Sequence, residues 1–160
     1  MKSGGSVVRN EMMYRPVVDK EVVEFLRKEQ KPLKGRLGEI ERQANVDGVP
    51  IIPHETVVFL NVLLNQIKPK QILEIGAAIG FSSSLMAQHV GDEGHVTTID
   101  RYDVMIQKAR KNYEDLGLTD KITLLEGQAA DILSTLEGPY DFIFMDSAKS
   151  KYYDFFPDCM

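Results

Sequence analysis

The stretch Gln71-Ile72-Leu73-Glu74-Ile75-Gly76-Ala77-Ala78-Ile79-Gly80-Phe81-Ser82 decides how this chain folds. An apolar run is followed at once by a loop of small residues between two glycines. Ser82-Ser83-Ser84-Leu85-Met86-Ala87 then reads as a helix. Strand, glycine turn and helix N-terminus, in that order, are how an open α/β sheet builds a site for a small cofactor.

Toward the N-terminus the pattern is helical. Within residues 17–30, Val18, Val22, Phe25 and Leu26 fall on one helical face, with Asp19 as the N-cap. Lys31-Pro32 ends that helix, and Leu33 to Asn45 gives a second, with Leu37, Ile40 and Ala44 on one side. Asp47-Gly48-Val49-Pro50 is a turn, and a third helix, His54 to Ile67, carries Val57, Val58, Leu60, Leu64 and Ile67 as a stripe for packing on a sheet. His54 reads as a surface or capping residue rather than a ligand. Arg27, Lys28, Lys31, Lys34 and Arg36 form a basic run, read first as a solvated face and alternatively as a patch for an anionic substrate.

Toward the C-terminus strands and helices alternate. Helix Ser82 to Val90 leads through Gly91-Asp92-Glu93-Gly94 to a strand, His95 to Ile99, closing on Asp100. A helix from Asp103 to Leu116 carries Met105, Ala109, Tyr113 and Leu116 inward, and a third strand runs from Ile122 to Leu125. A short helix, Ala130 to Leu136, precedes a fourth strand, Phe142 to Met145, ending on Asp146. This alternation predicts an α/β fold, a mostly parallel sheet with helices on both faces and right-handed crossovers.

Composition sets outer bounds. The 160 residues suit a single domain, and 43% apolar with 27% charged residues is ordinary for a globular chain. A net charge of −5 argues against a dominant electrostatic grip on nucleic acid. Cys159 is the lone cysteine, so an intramolecular disulfide is ruled out and a reducing cytoplasm is the expected location. No apolar run approaches the roughly 20 residues of a membrane span. Met1-Lys2-Ser3-Gly4-Gly5-Ser6 lacks the apolar core of a signal peptide, and residues 1–16 are expected to be a flexible tail. The rest, 17–160, reads as one domain: a helical lead-in over 17–67 and a cofactor-binding α/β core over 71–160.

In such a sheet, ligands sit outside the carboxyl ends of the strands, where strand order reverses. The four strand ends are Glu74-Ile75-Gly76, Asp100, Gly127-Gln128-Ala129 and Asp146, and they are expected to line one crevice. Gly76 and Gly80 are expected to let the backbone approach a ligand. Asp100 follows Gly76 by about 20 residues, the spacing at which an acid binds the ribose hydroxyls of a nucleotide. A dinucleotide fingerprint needs G-x-G-x-x-G, and here Ala78 stands at the middle glycine. That disfavours NAD. Glu-x-Gly-x-x-x-Gly followed by an acid at the end of the next strand suits S-adenosylmethionine.

Leu73-Glu74-Ile75-Gly76-Ala77-Ala78-Ile79-Gly80-Phe81-Ser82, Thr98-Ile99-Asp100 and Tyr140-Asp141-Phe142-Ile143-Phe144-Met145-Asp146-Ser147-Ala148-Lys149 resemble the cation-dependent O-methyltransferases, the class I family of the catechol and caffeoyl-CoA enzymes. The resemblance covers the chain from about Val17 onward, and the Asp146-x-x-Lys149 pair after strand four is its more discriminating mark. Val49-Pro50-Ile51-Ile52 resembles the bacterial branch, which includes a methyltransferase for 5-hydroxyuridine in tRNA.

The resemblance implies a Rossmann-like methyltransferase fold and a role for each matching residue. Ile52 is expected to contact the cofactor through its backbone, and Glu74 and Gly76 to hold its amino-acid portion. Ser82 is expected to bind its carboxylate at the helix N-terminus, Asp100 the ribose hydroxyls, and Gln128 and Ala129 to flank the adenine. Asp146 matches a position that ligates a divalent metal beside the cofactor, and Lys149 matches the proposed general base. The residue chemistry agrees: a hard cation such as Mg²⁺ on carboxylates lowers a hydroxyl's pKa, and a nearby lysine takes the proton. Tyr152, Tyr153, Phe155 and Phe156 are expected to wall an aromatic acceptor or to pack as core or lid.

The family's pattern extends past strand four. Its other two metal ligands, an Asp-Asn pair, are expected beyond Met160, as are its last strands. The expectation is therefore a piece of a longer enzyme with an open edge at strand four; a shortened product with altered activity is the alternative. The functional reading is an S-adenosylmethionine-dependent O-methyltransferase acting on a small phenolic or catechol-like acceptor or on tRNA. Its rival is a non-catalytic cofactor-binding or partner-binding fragment. A homodimer is a family-level expectation.

Overall fold

The computed structural model describes residues 19–160. The tail expected over 1–16, together with Val17 and Val18, lies outside the described residues. Three lead-in helices come first: α1 (Lys20–Glu29), α2 (Gly35–Asp47) and α3 (His54–Ile67). The alternating part follows as β1 (Gln71–Ile75), α4 (Phe81–Ala87), β2 (His95–Asp100), α5 (Asp103–Leu116), β3 (Ile122–Glu126), α6 (Ala129–Leu133), β4 (Phe142–Met145) and α7 (Tyr152–Phe155). Short 3₁₀ turns flank α7 at Lys149–Lys151 and Phe156–Cys159.

Local chemistry sets several of these bounds. The Asp19 carboxylate accepts the N–H groups of Glu21 (2.9 Å) and Val22 (3.2 Å), so α1 starts on a side-chain cap. α2 stops at Gly48, which takes the left-handed conformation that glycine adopts without cost. α4 ends at Ala87, three residues before the expected Val90.

The four strands form one parallel sheet in the order β3-β2-β1-β4. Strand order therefore reverses between β1 and β4. Alternation along each strand sends Ile72, Val96, Ile122, Phe142 and Phe144 to a core shared with α2, α3, α4 and α5. The opposite face sends Leu73, Ile75, Ile99, Ile143 and Met145 to a second core with α6 and Phe155 of α7. This is a Rossmann-like α/β arrangement with helices on both faces. Among the described residues β4 pairs with β1 alone, so its outer edge is open, as expected from the sequence.

Two expectations are corrected. The apolar stripe on α1 does not pack: Val22 is 53% exposed and Phe25 63%, and Val23 is the residue buried. On α3, Val57, Leu60 and Leu64 are buried, whereas Val58 and Ile67 face outward. His54 is more than a cap. Its Nδ1 lies 2.7 Å from Glu41 Oε1 and its Nε2 lies 3.1 Å from the Lys31 carbonyl, pinning the start of α3 to α2 and to the α1–α2 linker.

The start of β4 is tied to β1 by Asp141. Its Oδ2 accepts the N–H groups of Lys70 (2.7 Å) and Gln71 (2.8 Å), while its own N–H donates to the Gln71 carbonyl. Those backbone bonds, Gln71 first, hold the Asp141 carboxyl below its ordinary value of 3.8. A depressed carboxylate contributes stability above its unfolded pKa and loses it as pH falls through the folded one. Asp141→Ala is thus expected to lower the thermal midpoint at neutral pH, with the difference from wild type shrinking in acid. Thermal melts across that pH range check it.

Candidate functional site

The reversal between β1 and β4 opens a cavity of about 1060 Å³ at the carboxyl ends of the strands. That is at the upper end of the ~300–1,000 Å³ usual for ligand sites, with room for a cofactor and an acceptor together. Its wall brings together Ile52, Gly76, Ser82, Asp100, Gln128, Ala129 and Asp146. Seven of the expected site residues thus converge from all four strand ends and the α2–α3 loop.

Two others do not reach the wall. Glu74 is fully buried on the α4 side of the sheet, beneath the glycine loop rather than on the cavity surface. There its carboxylate accepts the hydroxyls of Ser82 and Thr98. Burial, opposed by those hydroxyls and by Ser83, and reinforced by the Asp146 charge, raises its pKa from 4.5 to about 7. Lys149 begins the 3₁₀ turn after Asp146, is exposed, and lies outside the cavity lining, whereas Lys151 lines it and pairs with Asp154 at 3.0 Å. Of the four aromatic residues near the end of the chain, Phe155 alone is buried and on the wall.

Gly76 and Gly80 owe their identity to protein contacts. A Cβ on Gly76 would collide with the carbonyl oxygen of Asp146, and one on Gly80 would overlap the Tyr113 ring. Both also have positive φ, 107° and 75°. Ala78, where a dinucleotide fingerprint has its middle glycine, adopts φ 47°, so the loop keeps a glycine-type backbone around a methyl group. The strain of about 1 kcal/mol or more that a non-glycine residue bears there is offset by a hydrogen bond: the Ala78 N–H donates to Asp100 Oδ2 at 2.7 Å.

Asp100 is engaged on both oxygens. Its Oδ1 accepts the N–H groups of Arg101 (2.7 Å) and Tyr102 (2.9 Å). The carboxylate is therefore held in place by backbone on both sides, with one lone pair, on Oδ2, left for a hydroxyl in the cavity. Arg101 was not foreseen. Its Nη1 donates to Gln128 Oε1 (3.0 Å), its Nη2 donates to the Tyr102 hydroxyl (2.6 Å), and its guanidinium lies 4.8 Å from the Tyr102 ring centroid. The available signal was position: both residues directly follow the acid that ends β2.

Asp146 sits on the exposed side of the cavity, and partial desolvation raises its carboxyl above 3.8. Among the described residues no group of three His, Cys, Asp or Glu side chains is placed to hold a metal ion. Asp146 by itself does not make a metal site. The basic run is partly neutralised: Arg27 pairs with Glu55 at 2.7 Å, and Arg36 pairs with Asp115 (2.7 Å) and Glu39 (3.2 Å). No described helix is long and apolar enough to cross a membrane.

A family profile described as O-methyltransferase matches residues 28–160. The chain belongs to the O-methyltransferase family. Among curated relatives it is 36% identical over 94 residues to a catechol O-methyltransferase of Mycobacterium tuberculosis, covering 58% of this chain and 43% of that protein. It is 31% identical over 118 residues to a catechol O-methyltransferase of Niastella koreensis, covering 71% and 53%. The crystal structure of the O-methyltransferase from Bacillus cereus in complex with SAH superposes with a TM-score of 0.76 at 26% identity, over 87% of this chain and 66% of that one. The chain spans about half the length of the curated relatives it matches.

The buried Glu74 carries a pH signature. The folded state keeps its proton up to about pH 7, whereas an unfolded glutamate releases it near 4.5, so stability should fall as pH rises through that window and level off above it. Glu74→Gln is expected to remove this slope. Denaturant titrations at intervals across the window check it: a wild-type profile no steeper than the variant's would show that Glu74 is not a raised, buried acid.

Proposed function

We propose that the protein transfers a methyl group from S-adenosylmethionine to a hydroxyl of a small phenolic or catechol-like acceptor. One observation carries this reading: the glycine loop and the Asp100 carboxylate share a cavity wall and are joined through the Ala78 N–H. The loop at Gly76 and the first turn of α4 at Ser82 receive the amino-acid end of the donor. Asp100 receives the ribose hydroxyls, Gln128 and Ala129 flank the adenine, and Ile52 closes the opposite side through its backbone. S-adenosylmethionine supplies a methyl on a positively charged sulfur.

The acceptor oxygen attacks that methyl in line, the oxygen–carbon bond forms as the carbon–sulfur bond breaks, and the hydroxyl proton goes to a base. Lys149 is the candidate for that base, with Lys151 next to it on the cavity side. Asp146 would hold a divalent cation together with ligands from outside the described residues, and such an ion would supply a lowered pKa at the acceptor hydroxyl. The acceptor class rests on the relatives, two of which are named catechol O-methyltransferase and a third caffeoyl-CoA O-methyltransferase. No observation favours tRNA, since Arg27 and Arg36 are already engaged in ion pairs.

A second reading is a chain that binds the cofactor without catalysing transfer, since among the described residues Asp146 has no group of metal-ligating partners around it. Calorimetry with S-adenosylhomocysteine and a methyl-transfer assay on a catechol separate the two. Binding is expected, falling by about tenfold or more in Asp100→Ala, because hydrogen bonds to a charged group are lost. In the assay, Lys149→Ala is expected to lower kcat by about 100-fold or more, the usual contribution of a general base. It should leave cofactor affinity unchanged. If Lys151→Ala gives that loss instead, the base is Lys151; binding without turnover leaves the second reading.

A further inference from the structure

Beside the proposed adenine pocket, Arg101 and Tyr102, which the methyl-transfer reading does not use, form a linked set with Gln128, which it does. Arg101 donates from Nη1 to Gln128 Oε1 and from Nη2 to the Tyr102 hydroxyl, with its guanidinium against the Tyr102 ring. The backbone beneath is fixed as well, because the N–H groups of Arg101 and Tyr102 both donate to Asp100 Oδ1. Arg101, Tyr102 and Gln128 all line the cavity.

The chemistry of this set is directional. A guanidinium carries donors and no acceptor, so the amide atom facing it must be the oxygen. Gln128 has one oxygen and one NH₂, and with the oxygen turned toward Arg101 the NH₂ donor is the end left to face a ligand. A donor at this point matches a ring nitrogen with a bare lone pair. Adenine has such a nitrogen at N1, next to its 6-amino group. A 6-oxopurine carries hydrogen on N1, and there two donors would face each other.

We propose that Arg101 is a positioning residue that fixes the orientation of the Gln128 amide and so makes the site selective for adenine over 6-oxopurine nucleosides. This rests on the reading that the cavity binds the adenosyl group of S-adenosylmethionine. Arg101 acts through Gln128 and takes no part in the transfer itself. Lysine at 101 would keep a donor toward the amide oxygen, while methionine would leave the amide free to rotate and to offer its oxygen to an N1–H. Glutamate at 128 offers oxygens alone and should favour the 6-oxo base.

The test is calorimetric titration of wild type, Arg101→Met, Arg101→Lys and Gln128→Glu with S-adenosylhomocysteine and with its deaminated analogue, S-inosylhomocysteine. A mismatched or unpaired polar group costs enough to predict a wild-type preference for the adenine form of about fivefold or more. Arg101→Met should collapse that ratio toward one, Arg101→Lys should restore part of it, and Gln128→Glu should reverse it. Arg101 is at the surface of the cavity, and a melting temperature for each variant confirms that it is folded. A merely structural role would weaken both ligands equally and leave the ratio at its wild-type value; that result, or a wild type without preference, overturns the proposal while the cofactor reading stands. A wild type that binds neither ligand overturns both.

Discussion

The Asp100 carboxylate is the point on which the rest of the site depends. It closes β2, and it accepts N–H groups from Ala78 in one loop and from Arg101 and Tyr102 in the next. Ala78 is held in a left-handed conformation that a non-glycine residue seldom adopts, and its bond to Asp100 is the visible counterweight. Two loops from neighbouring strands are thereby locked to one side chain, so the wall they form is shaped before any ligand arrives. Preorganisation of this kind moves the ordering cost from binding to folding.

Below that wall lies a second layer that is equally polar but closed to solvent. Glu74, Ser82 and Thr98 form a buried hydrogen-bonded group between β1, β2 and α4, and Ser83 meets the Tyr113 hydroxyl at 2.7 Å. Buried polar groups are costly unless satisfied, and satisfied ones fix a unique packing. Here they fix how α4 sits on the sheet, and thus where Ser82 meets the cavity. The acid at the end of β1 therefore supports the loop from behind.

Much of this architecture was legible in the sequence because it follows from period and punctuation. The strands, their order of appearance and the polar residues at their ends could be read from alternation and from the Gly76–Gly80 loop. What could not be read depends on tertiary neighbours. The α1 stripe has the right period, yet Val22 and Phe25 stay more than half exposed. Lys149 and Lys151 are two residues apart on a 3₁₀ turn, and its local winding decides which of them faces the cavity. Arg101 carries no motif; its meaning comes from Gln128, which belongs to the next crossover.

The Gly76–Asp146 contact reaches beyond ligand binding. Position 76 has no room for a methyl group because the backbone carbonyl of Asp146 already fills that space. The separation between the loop after β1 and the end of β4 is thus set by an absent atom. Lineages that substitute position 76 would have to shift the end of β4 in the same step, whatever ligand they bind. Two segments far apart in sequence are bound into one evolutionary unit by backbone against backbone, where no compensating side-chain change is available.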